Sequence, residues 1–240
     1  MNTSQVPSTY NVQETMSRDE IQRGFITRVY GWMTIGLLIT ATAALFTIST
    51  PGLLTAIVSN QFVFLGLLLG EVVLVFALSL AANRISPQVA GILFTGYAVL
   101  NGVTFSVLFL VYTQSSIALT FGVTACTFGI MTLLGFTTHR DLTRLGSLLI
   151  MGLIGLILAS LVNFFINNSA VYWITTYLGI LIFVGLVAYD TQRLKNMSLT
   201  LSEDGQLTQN KSIIGALTLY LDFINLFLLL LRVLGKRNNS

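Results

Sequence analysis

Residues 213–234 read IIGALTLYLDFINLFLLLLRVL, and this stretch decides the fold of the chain. A hydrocarbon layer about 30 Å thick is crossed by roughly 20 apolar residues in a helix, which is the length of this run. It contains a single carboxylate, Asp222, well inside its ends. The run therefore predicts a membrane-spanning helix, and its acid is a candidate functional group because charged residues at that depth are costly.

The composition of the whole chain agrees with several such helices. Of the 240 residues, 54% are hydrophobic and only 9% are charged, whereas a soluble domain carries roughly 25% charged residues. The net charge of +3 is not arranged as a basic stripe interleaved with aromatic residues, so nucleic acid is not expected as a partner. The expected environment is the lipid bilayer, and the predicted fold class is an all-α membrane protein.

The apolar runs predict seven transmembrane helices. They cover residues 29–49, 62–82, 89–111, 117–136, 145–166, 172–189 and 213–234. Most connections are short and hold helix breakers such as Pro51-Gly52, so neighbouring helices are expected to be antiparallel. The connection at residues 196–211 is longer than the others and polar, which is typical of a mobile loop. The predicted organisation is a polar N-terminal tail (1–28), a transmembrane domain (29–234) and a short basic tail (235–240).

The positions of Lys and Arg predict the orientation in the membrane. Basic residues cluster in the N-terminal segment and in the connections on the same side, whereas the opposite connections carry none. Because basic residues near span ends resist translocation, the N-terminus is predicted to be cytoplasmic. Seven crossings then place Arg232, Lys236 and Arg237 outside, which the same rule disfavours unless the last helix is re-entrant.

Two aspartates near the cytoplasmic half of the membrane are the leading functional candidates. Asp222 lies about nine residues into the last span, with Asn225 at i+3 on its face. Asp190 ends the sixth span, and antiparallel packing of the last two spans would bring the two acids together. The structural alternatives are an ion pair of Asp190 with Arg193 at i+3, and a purely structural hydrogen bond for Asp222.

A pair of neighbouring carboxylates has two uses in a membrane. In a low dielectric the two do not both ionise easily, so the pair can share a proton and respond to pH as a unit. A nearby cation, here Arg84 at the end of the second span, could lock the ionised pair and release it on protonation. The same oxygens could hold Ca²⁺, which prefers carboxylate ligands. A third acid, Glu71, would either line a cation route or bond a neighbouring helix.

The sequence argues against an enzyme. One histidine excludes H-E-x-x-H, and neither G-x-x-x-x-G-K-[ST] nor G-x-S-x-G occurs. Intramembrane aspartyl proteases resemble the two-aspartate arrangement superficially, but their second aspartate follows a Gly-x-Gly pattern, whereas Leu219, Tyr220 and Leu221 precede Asp222 here. We therefore expect no catalytic residues and no cofactor other than bound Ca²⁺ at Asp190 and Asp222.

The motifs around the two aspartates resemble a known family. Residues 189–192 (YDTQ) and 219–227 (LYLDFINLF) look like the Bax-inhibitor, or transmembrane Bax-inhibitor-motif, family, and residues 29–34 (VYGWMT) and 159–164 (ASLVNF) resemble its bacterial inner-membrane branch. The resemblance covers nearly the whole chain and implies six helices around a central seventh. It also implies a pH-sensitive Ca²⁺ leak, in which Asp190 and Asp222 gate the cytoplasmic end of the pore and Arg84 pairs with them when it is closed.

The same resemblance implies a second class of function. Some bacterial members resemble regulators of membrane proteases, and some eukaryotic members suppress cell death through partners. The alternative to a leak or exchanger for Ca²⁺ or H⁺ is therefore a non-transporting modulator of a membrane protease or a stress-response pathway. The polar tail (1–28) would be the natural partner-binding element of such a modulator, so its deletion would discriminate between the two functions.

Overall fold

The computed structural model of the chain describes residues 9–81, 84–199 and 205–238, with side chains from residue 20 onward except at residues 81 and 205–207. In these residues every regular element is a helix, apart from one isolated bridge. The helices are α1 (Thr9–Ile48), α2 (Pro51–Ser59), α3 (Gln61–Ala81), α4 (Pro87–Phe105), α5 (Leu108–Val111), α6 (Gln114–Thr137), α7 (Thr143–Ile166), α8 (Ser169–Leu199) and α9 (Gly205–Leu234).

The prediction of seven membrane-spanning helices is confirmed. The segments long and apolar enough to cross a bilayer are Glu20–Ile48, Gln61–Leu80, Pro87–Val111, Gln114–Thr137, Thr143–Ile166, Ser169–Leu199 and Thr208–Leu234. The third of these combines α4 with the short α5. Several spans are longer than the apolar runs that predict them, because the helices continue into polar residues at their ends.

Residues at the ends of the apolar runs set where helices begin and end. Pro87 opens α4, where its locked φ suits the first turn and its missing N–H is not needed, and the Ser86 side chain accepts a hydrogen bond from the Val89 amide. Thr113 caps α6 in the same way by accepting from the Ser116 amide. A C-terminal helix end is set by Asn167, where α7 terminates. Its φ of 52° is a left-handed conformation that asparagine tolerates.

Two predicted connections differ from the structure. Residues 51–59 form the helix α2 rather than an irregular loop, because Pro51-Gly52 occupies the first turn of a helix, where proline is accommodated. The mobile loop predicted at 196–211 is wrong for most of its length, since α8 continues to Leu199 and α9 begins at Gly205. Residues 200–204 lie outside the described residues.

Helix α1 continues across the domain boundary predicted at residue 28. Helix α1 begins at Thr9 and passes through residue 28 without a break. Phe25, on the N-terminal side of that position, is fully buried in the same core as Val29. The polar segment therefore joins the transmembrane domain through a continuous helix, and its last residues contribute to the core.

Helix α9 is the centre of the bundle, as predicted. In its span 61% of the residues are buried, against none in the span formed by α7. It packs against α1, α4, α6 and α8. Tyr220 is fully buried there, and its ring meets those of Phe94 and Tyr97 edge-on with centroids 5.8 and 5.7 Å apart. Its hydroxyl lies 2.6 Å from Thr40 Oγ1 and links α9 to α1.

The last helix crosses the membrane completely. Helix α9 is uninterrupted, and Arg237 beyond it forms an antiparallel bridge with Tyr112, which follows the third span. The Thr113 amide also donates to the Lys236 carbonyl at 3.0 Å. Since the third span runs parallel to the first, this contact lies on the side opposite the N-terminus. The re-entrant alternative is therefore wrong, and Arg232, Lys236 and Arg237 lie opposite the N-terminus.

Candidate functional site

The structure brings Asp190 of α8 and Asp222 of α9 together in the interior of the bundle. Their exposed fractions are 7% and 5%, and their carboxyl groups lie close enough to interact directly. A hydrogen bond between two carboxyl groups requires a proton on one of them, because an ionised carboxylate only accepts. Among the described residues, Asp222 Oδ2 has no hydrogen-bond partner. The two acids are therefore buried neighbours, and Asp222 has one unused acceptor.

The cation beside this pair is Arg193. Its Nη1 lies 3.9 Å from Asp190 Oδ1, one helical turn away on α8. The Arg193 side chain is 60% exposed, so solvent screens the ion pair and its contribution to stability is small. The i+3 pair and the contact between the aspartates therefore coexist in this structure.

Arg84 lies apart from the two aspartates. It is exposed in the turn between α3 and α4, and within the described residues it forms no ion pair with either acid. The next residue, Ile85, accepts a hydrogen bond through its carbonyl from Asn210 Nδ2 at 2.7 Å. Asn210 precedes Asp222 on α9 by about 18 Å of helix rise. A gating role for Arg84 stays a prediction.

Two glycines allow α8 to pack closely around Asp190. A Cβ at Gly135 of α6 would lie 2.5 Å from the Ala188 carbonyl oxygen and 2.8 Å from Thr191 Cβ. A Cβ at Gly146 of α7 would overlap the ring of Tyr189. Residues on both sides of Asp190 are therefore in contact with neighbouring helices at distances that only glycine permits.

The polar residues after Asp190 hold the connection between α6 and α7. Gln192 accepts from the Leu142 amide at 2.9 Å and donates to the Arg140 carbonyl at 2.8 Å. Lys195 Nζ donates to the Phe136 carbonyl at 2.7 Å, near the end of α6. These bonds satisfy backbone groups that the helix ends leave open. The segment that carries Asp190 is thus anchored to its surroundings at several points.

A cavity of about 310 Å³ reaches Asp190 from the side of the N-terminus. Two basic residues line it, Arg193 of α8 and Lys211 of α9, together with Thr218 and apolar side chains. Asp222 is not among the lining residues. Asp190 is therefore the member of the pair that borders the cavity, with two cations at its rim.

Glu71 and Asn225 lie in a different place from the aspartate pair. Both line a cavity between α3, α4 and α9, where Thr104 donates to Glu71 Oε1 at 2.6 Å. Asn225 Nδ2 donates to the Leu221 carbonyl of its own helix at 2.8 Å. Asn225 lines this cavity and Asp222 does not, because a step of three residues turns the side chain by about 60° around the helix. A supporting role of Asn225 beside Asp222 stays a prediction.

The remaining polar residues of this second cavity were not predicted as site residues. Tyr97, Asn101 and Thr104 follow one another along α4 at spacings of four and three and line the cavity opposite Glu71. That helical spacing of polar groups within an apolar span was the signal that could have identified them.

The two aspartates do not complete the coordination shell of Ca²⁺ by themselves. Ca²⁺ takes six to eight oxygen ligands, whereas Asp190 and Asp222 together offer four carboxyl oxygens. In the part of the chain that the structure describes, no group of three or more His, Cys, Asp or Glu side chains could hold a metal ion. Water would have to complete the coordination of any cation at this pair.

Comparison with known proteins adds an independent line of support. A family model described as inhibitor of apoptosis-promoting Bax1 matches residues 22–239. The chain is 48% identical over 214 residues to the inner membrane protein YbhL of Escherichia coli, covering 89% of this chain and 92% of that protein. It is 47% identical over 220 residues to an uncharacterized protein of Borreliella burgdorferi, covering 92% and 95%, and 43% identical over 216 residues to one of Deinococcus radiodurans, covering 90% and 92%. Together with the seven apolar helices, these matches support a multi-pass inner-membrane protein.

Proposed function

The chain belongs to the Bax-inhibitor family, and on that premise we propose that it is a low-conductance cation leak or exchanger of the bacterial inner membrane. In this proposal Ca²⁺ is the favoured ion, and protonation of Asp190 and Asp222 gates its passage. The observation that carries the proposal is the close approach of two buried carboxyl groups where α8 meets the central helix. No catalytic step is proposed.

The charge balance at the pair explains why protonation would act on the helices. With one shared proton, the pair carries a single negative charge opposite the positive charge of Arg193. Loss of that proton would leave two negative charges in contact in a poorly screened site, and their repulsion would separate α8 from α9. Gain of a second proton would remove the charge that faces Arg193, but that ion pair lies within α8 and is exposed to solvent. Loss of the shared proton is therefore the change that weakens the contact between α8 and α9.

The test is Ca²⁺ flux into dye-loaded proteoliposomes between pH 6 and pH 8. Asp190→Asn and Asp222→Asn keep the size and hydrogen-bonding capacity of the side chains but remove the titration. We expect a pH-dependent flux for the unmodified chain and a flattened or displaced pH dependence for both variants.

Asp141→Asn is the matched control for this experiment. Asp141 is an exposed carboxylate in the connection between α6 and α7, and its Oδ1 accepts from Thr143 Oγ1 and from the Thr143 amide at 2.6 and 2.9 Å. These hydrogen bonds hold the pKa of Asp141 below its usual range, so this acid stays ionised from pH 6 to pH 8. Its variant should behave like the unmodified chain. Equal, background-level flux in all four proteins would overturn the leak proposal.

The second candidate function is a modulator that binds a membrane protease or another membrane protein. It is favoured by α1, which begins at Thr9, well before the apolar run that starts at residue 29. The discriminating deletion should stop at residue 19, since deletion through residue 28 would also remove the buried Phe25. Unchanged Ca²⁺ flux after the shorter deletion would favour the leak. The modulator would be favoured if the full chain shows no flux and the shortened chain loses membrane proteins that co-purify with the full chain.

A further inference from the structure

The cavity between α3, α4 and α9 has the form of a small-molecule site that faces the lipid. Its volume is about 470 Å³, within the range of roughly 300–1,000 Å³ typical of ligand pockets. Val72 and Phe76 line its α3 side and are 51% and 59% exposed on the surface of the bundle. A ligand would therefore enter from the hydrocarbon phase rather than from water.

The floor of the cavity carries hydrogen-bond acceptors without enough donors. Asn101 is only 3% exposed, and its Oδ1 has no hydrogen-bond partner among the described residues. Its Nδ2 donates to the Tyr97 hydroxyl at 3.1 Å. Thr104 supplies one donor to Glu71. Because a buried acceptor without a donor costs free energy, these oxygens favour a ligand that brings N–H groups. Asn101 Oδ1 is enclosed by protein atoms, so the Asn101 side chain would turn toward the cavity to accept from such a ligand.

Glu71 also lacks a positive partner in the part of the chain that the structure describes. It lies ten residues from either end of α3, near the middle of the membrane. Acids at this depth are expensive unless they are paired. A positively charged ligand would supply the missing partner.

We propose that this cavity binds a lipophilic primary amine in its ammonium form. The head group lies between Glu71 and Asn101, and the alkyl chain follows the apolar walls formed by α3 and α9. If the carboxyl group carries the proton beforehand, that proton moves from the Glu71 oxygen to the amine nitrogen. If the amine carries it, nothing is transferred, and the complex is the ammonium carboxylate in both cases. An inorganic cation would leave the apolar walls unused, a quaternary ammonium has no N–H for Asn101 Oδ1, and an alcohol has no charge for Glu71.

The proposal is tested by photo-crosslinking of the full chain in nanodiscs. Three probes carry the same alkyl chain with a terminal diazirine and differ only in the head group: primary amine, trimethylammonium or alcohol. We expect saturable labelling by the amine of residues that line the cavity, located by mass spectrometry and competed by octylamine. Labelling by the other two probes should be unsaturable and spread over the lipid-facing surface.

The variant Glu71→Gln keeps the acceptor for Thr104 and nearly the same volume. Its apparent affinity for the amine probe should fall roughly tenfold or more, the scale of one charge-assisted hydrogen bond. Asp141→Asn, which removes a carboxylate outside the membrane, should leave labelling unchanged.

Two results would overturn the proposal. One is equal labelling by the three probes on the unmodified chain, which needs no variant and so does not depend on whether a variant folds. The other is unchanged saturable labelling of a folded Glu71→Gln protein. Because Asp190 and Asp222 do not line this cavity, failure of this experiment and failure of the ion-flux experiment are distinguishable.

Discussion

The side chains around Asp190 each contact a different neighbour of α8. Tyr189 covers Gly146 of α7, Thr191 packs on Gly135 of α6, and Gln192 binds the connection between those two helices. Asp190 itself faces Asp222. A short motif therefore joins four structural elements, which explains why the sequence pattern at this position is so specific.

Gly135→Ala should destabilise the protein by about 1–3 kcal/mol, the usual cost of overpacking. The new Cβ would meet the Ala188 carbonyl, a backbone group that moves only if α6 and α8 separate. The matched control is Gly129→Ala on the same helix, where a Cβ meets nothing within 4 Å. The unfolding midpoint in detergent is the measurement. Equal midpoints for the two variants would contradict the close packing described for α8.

Gln192→Ala should release the connection between α6 and α7 without unfolding the bundle. Leu142 loses the acceptor of its amide and Arg140 loses the donor to its carbonyl. Hydrogen exchange at the Leu142 amide should speed up about fivefold, the equivalent of about 1 kcal/mol for one hydrogen bond. Gln192→Glu retains the acceptor and should protect Leu142 better than alanine does. Identical exchange in both variants would mean that Gln192 does not hold this connection.

The sequence predicted which residues lie at membrane depth better than which of them meet. Asp190 and Asp222 could be placed together because both lie on adjacent antiparallel helices at similar depth. Arg84 could not be placed, since depth alone does not specify the direction in which a long, exposed side chain points. The polar groups around Glu71 were missed for a related reason: contact between α3 and α4 depends on rotation about each helix axis.

At the scale of helices, the central position of α9 depends on a polar link as well as apolar packing. Tyr220 packs its ring against α4 and brings its hydroxyl to Thr40 of α1. Thr40 Oγ1 also lies 2.9 Å from the carbonyl of Ala98 in α4. Three helices therefore meet at one small hydrogen-bonded cluster inside the core.

Tyr220→Phe should lower the free energy of unfolding by about 0.5–1.5 kcal/mol, the range for a single hydrogen bond, because the ring packing is retained. Tyr177→Phe is the matched control, since Tyr177 is an exposed tyrosine on α8. Unfolding in a denaturing-detergent titration measures the difference. A loss that is no larger for Tyr220→Phe than for the control would show that the hydroxyl contributes nothing at this crossing.

Apolar runs predicted the number of spanning helices but not where the helices end. Hydropathy reports the residues that contact lipid, whereas a helix ends where its backbone hydrogen bonds find other partners. For this reason α8 continues past the apolar run to Leu199, and α1 begins well before residue 29. The same limit applies to α2, whose Pro51-Gly52 start was interpreted as a turn.

For the whole molecule, seven complete crossings place the two chain ends on opposite sides of the membrane. Counting basic residues left the position of Arg232, Lys236 and Arg237 unexplained, because that rule does not consider packing. In the structure Arg232 lies over the ring of Tyr172, 5.3 Å from its centroid, and the carbonyl of Lys236 accepts from Thr113. Local contacts accommodate these basic residues on the side that charge counting disfavours.

Cysteine accessibility tests this topology. In a Cys126→Ser background, single variants Ser59→Cys, His139→Cys and Lys236→Cys place a thiol at three exposed positions. We expect a membrane-impermeant maleimide to label positions 59 and 236 from outside the cell and position 139 only after the membrane is opened. If positions 236 and 139 are labelled under the same condition, they lie on the same side of the membrane, and the total number of crossings is even.

The central position of α9 has a consequence for biosynthesis. The helix that forms the core is translated after the other six spans. Its neighbours α1, α4, α6 and α8 therefore enter the bilayer before it exists. Until then, side chains such as Thr40 and Asp190 lack the contacts with α9 that they make in the finished bundle. We therefore expect final assembly to follow insertion of the last span rather than to proceed helix by helix, and the nascent chain to need protection of its polar interior by lipid, water or the insertion machinery during that interval.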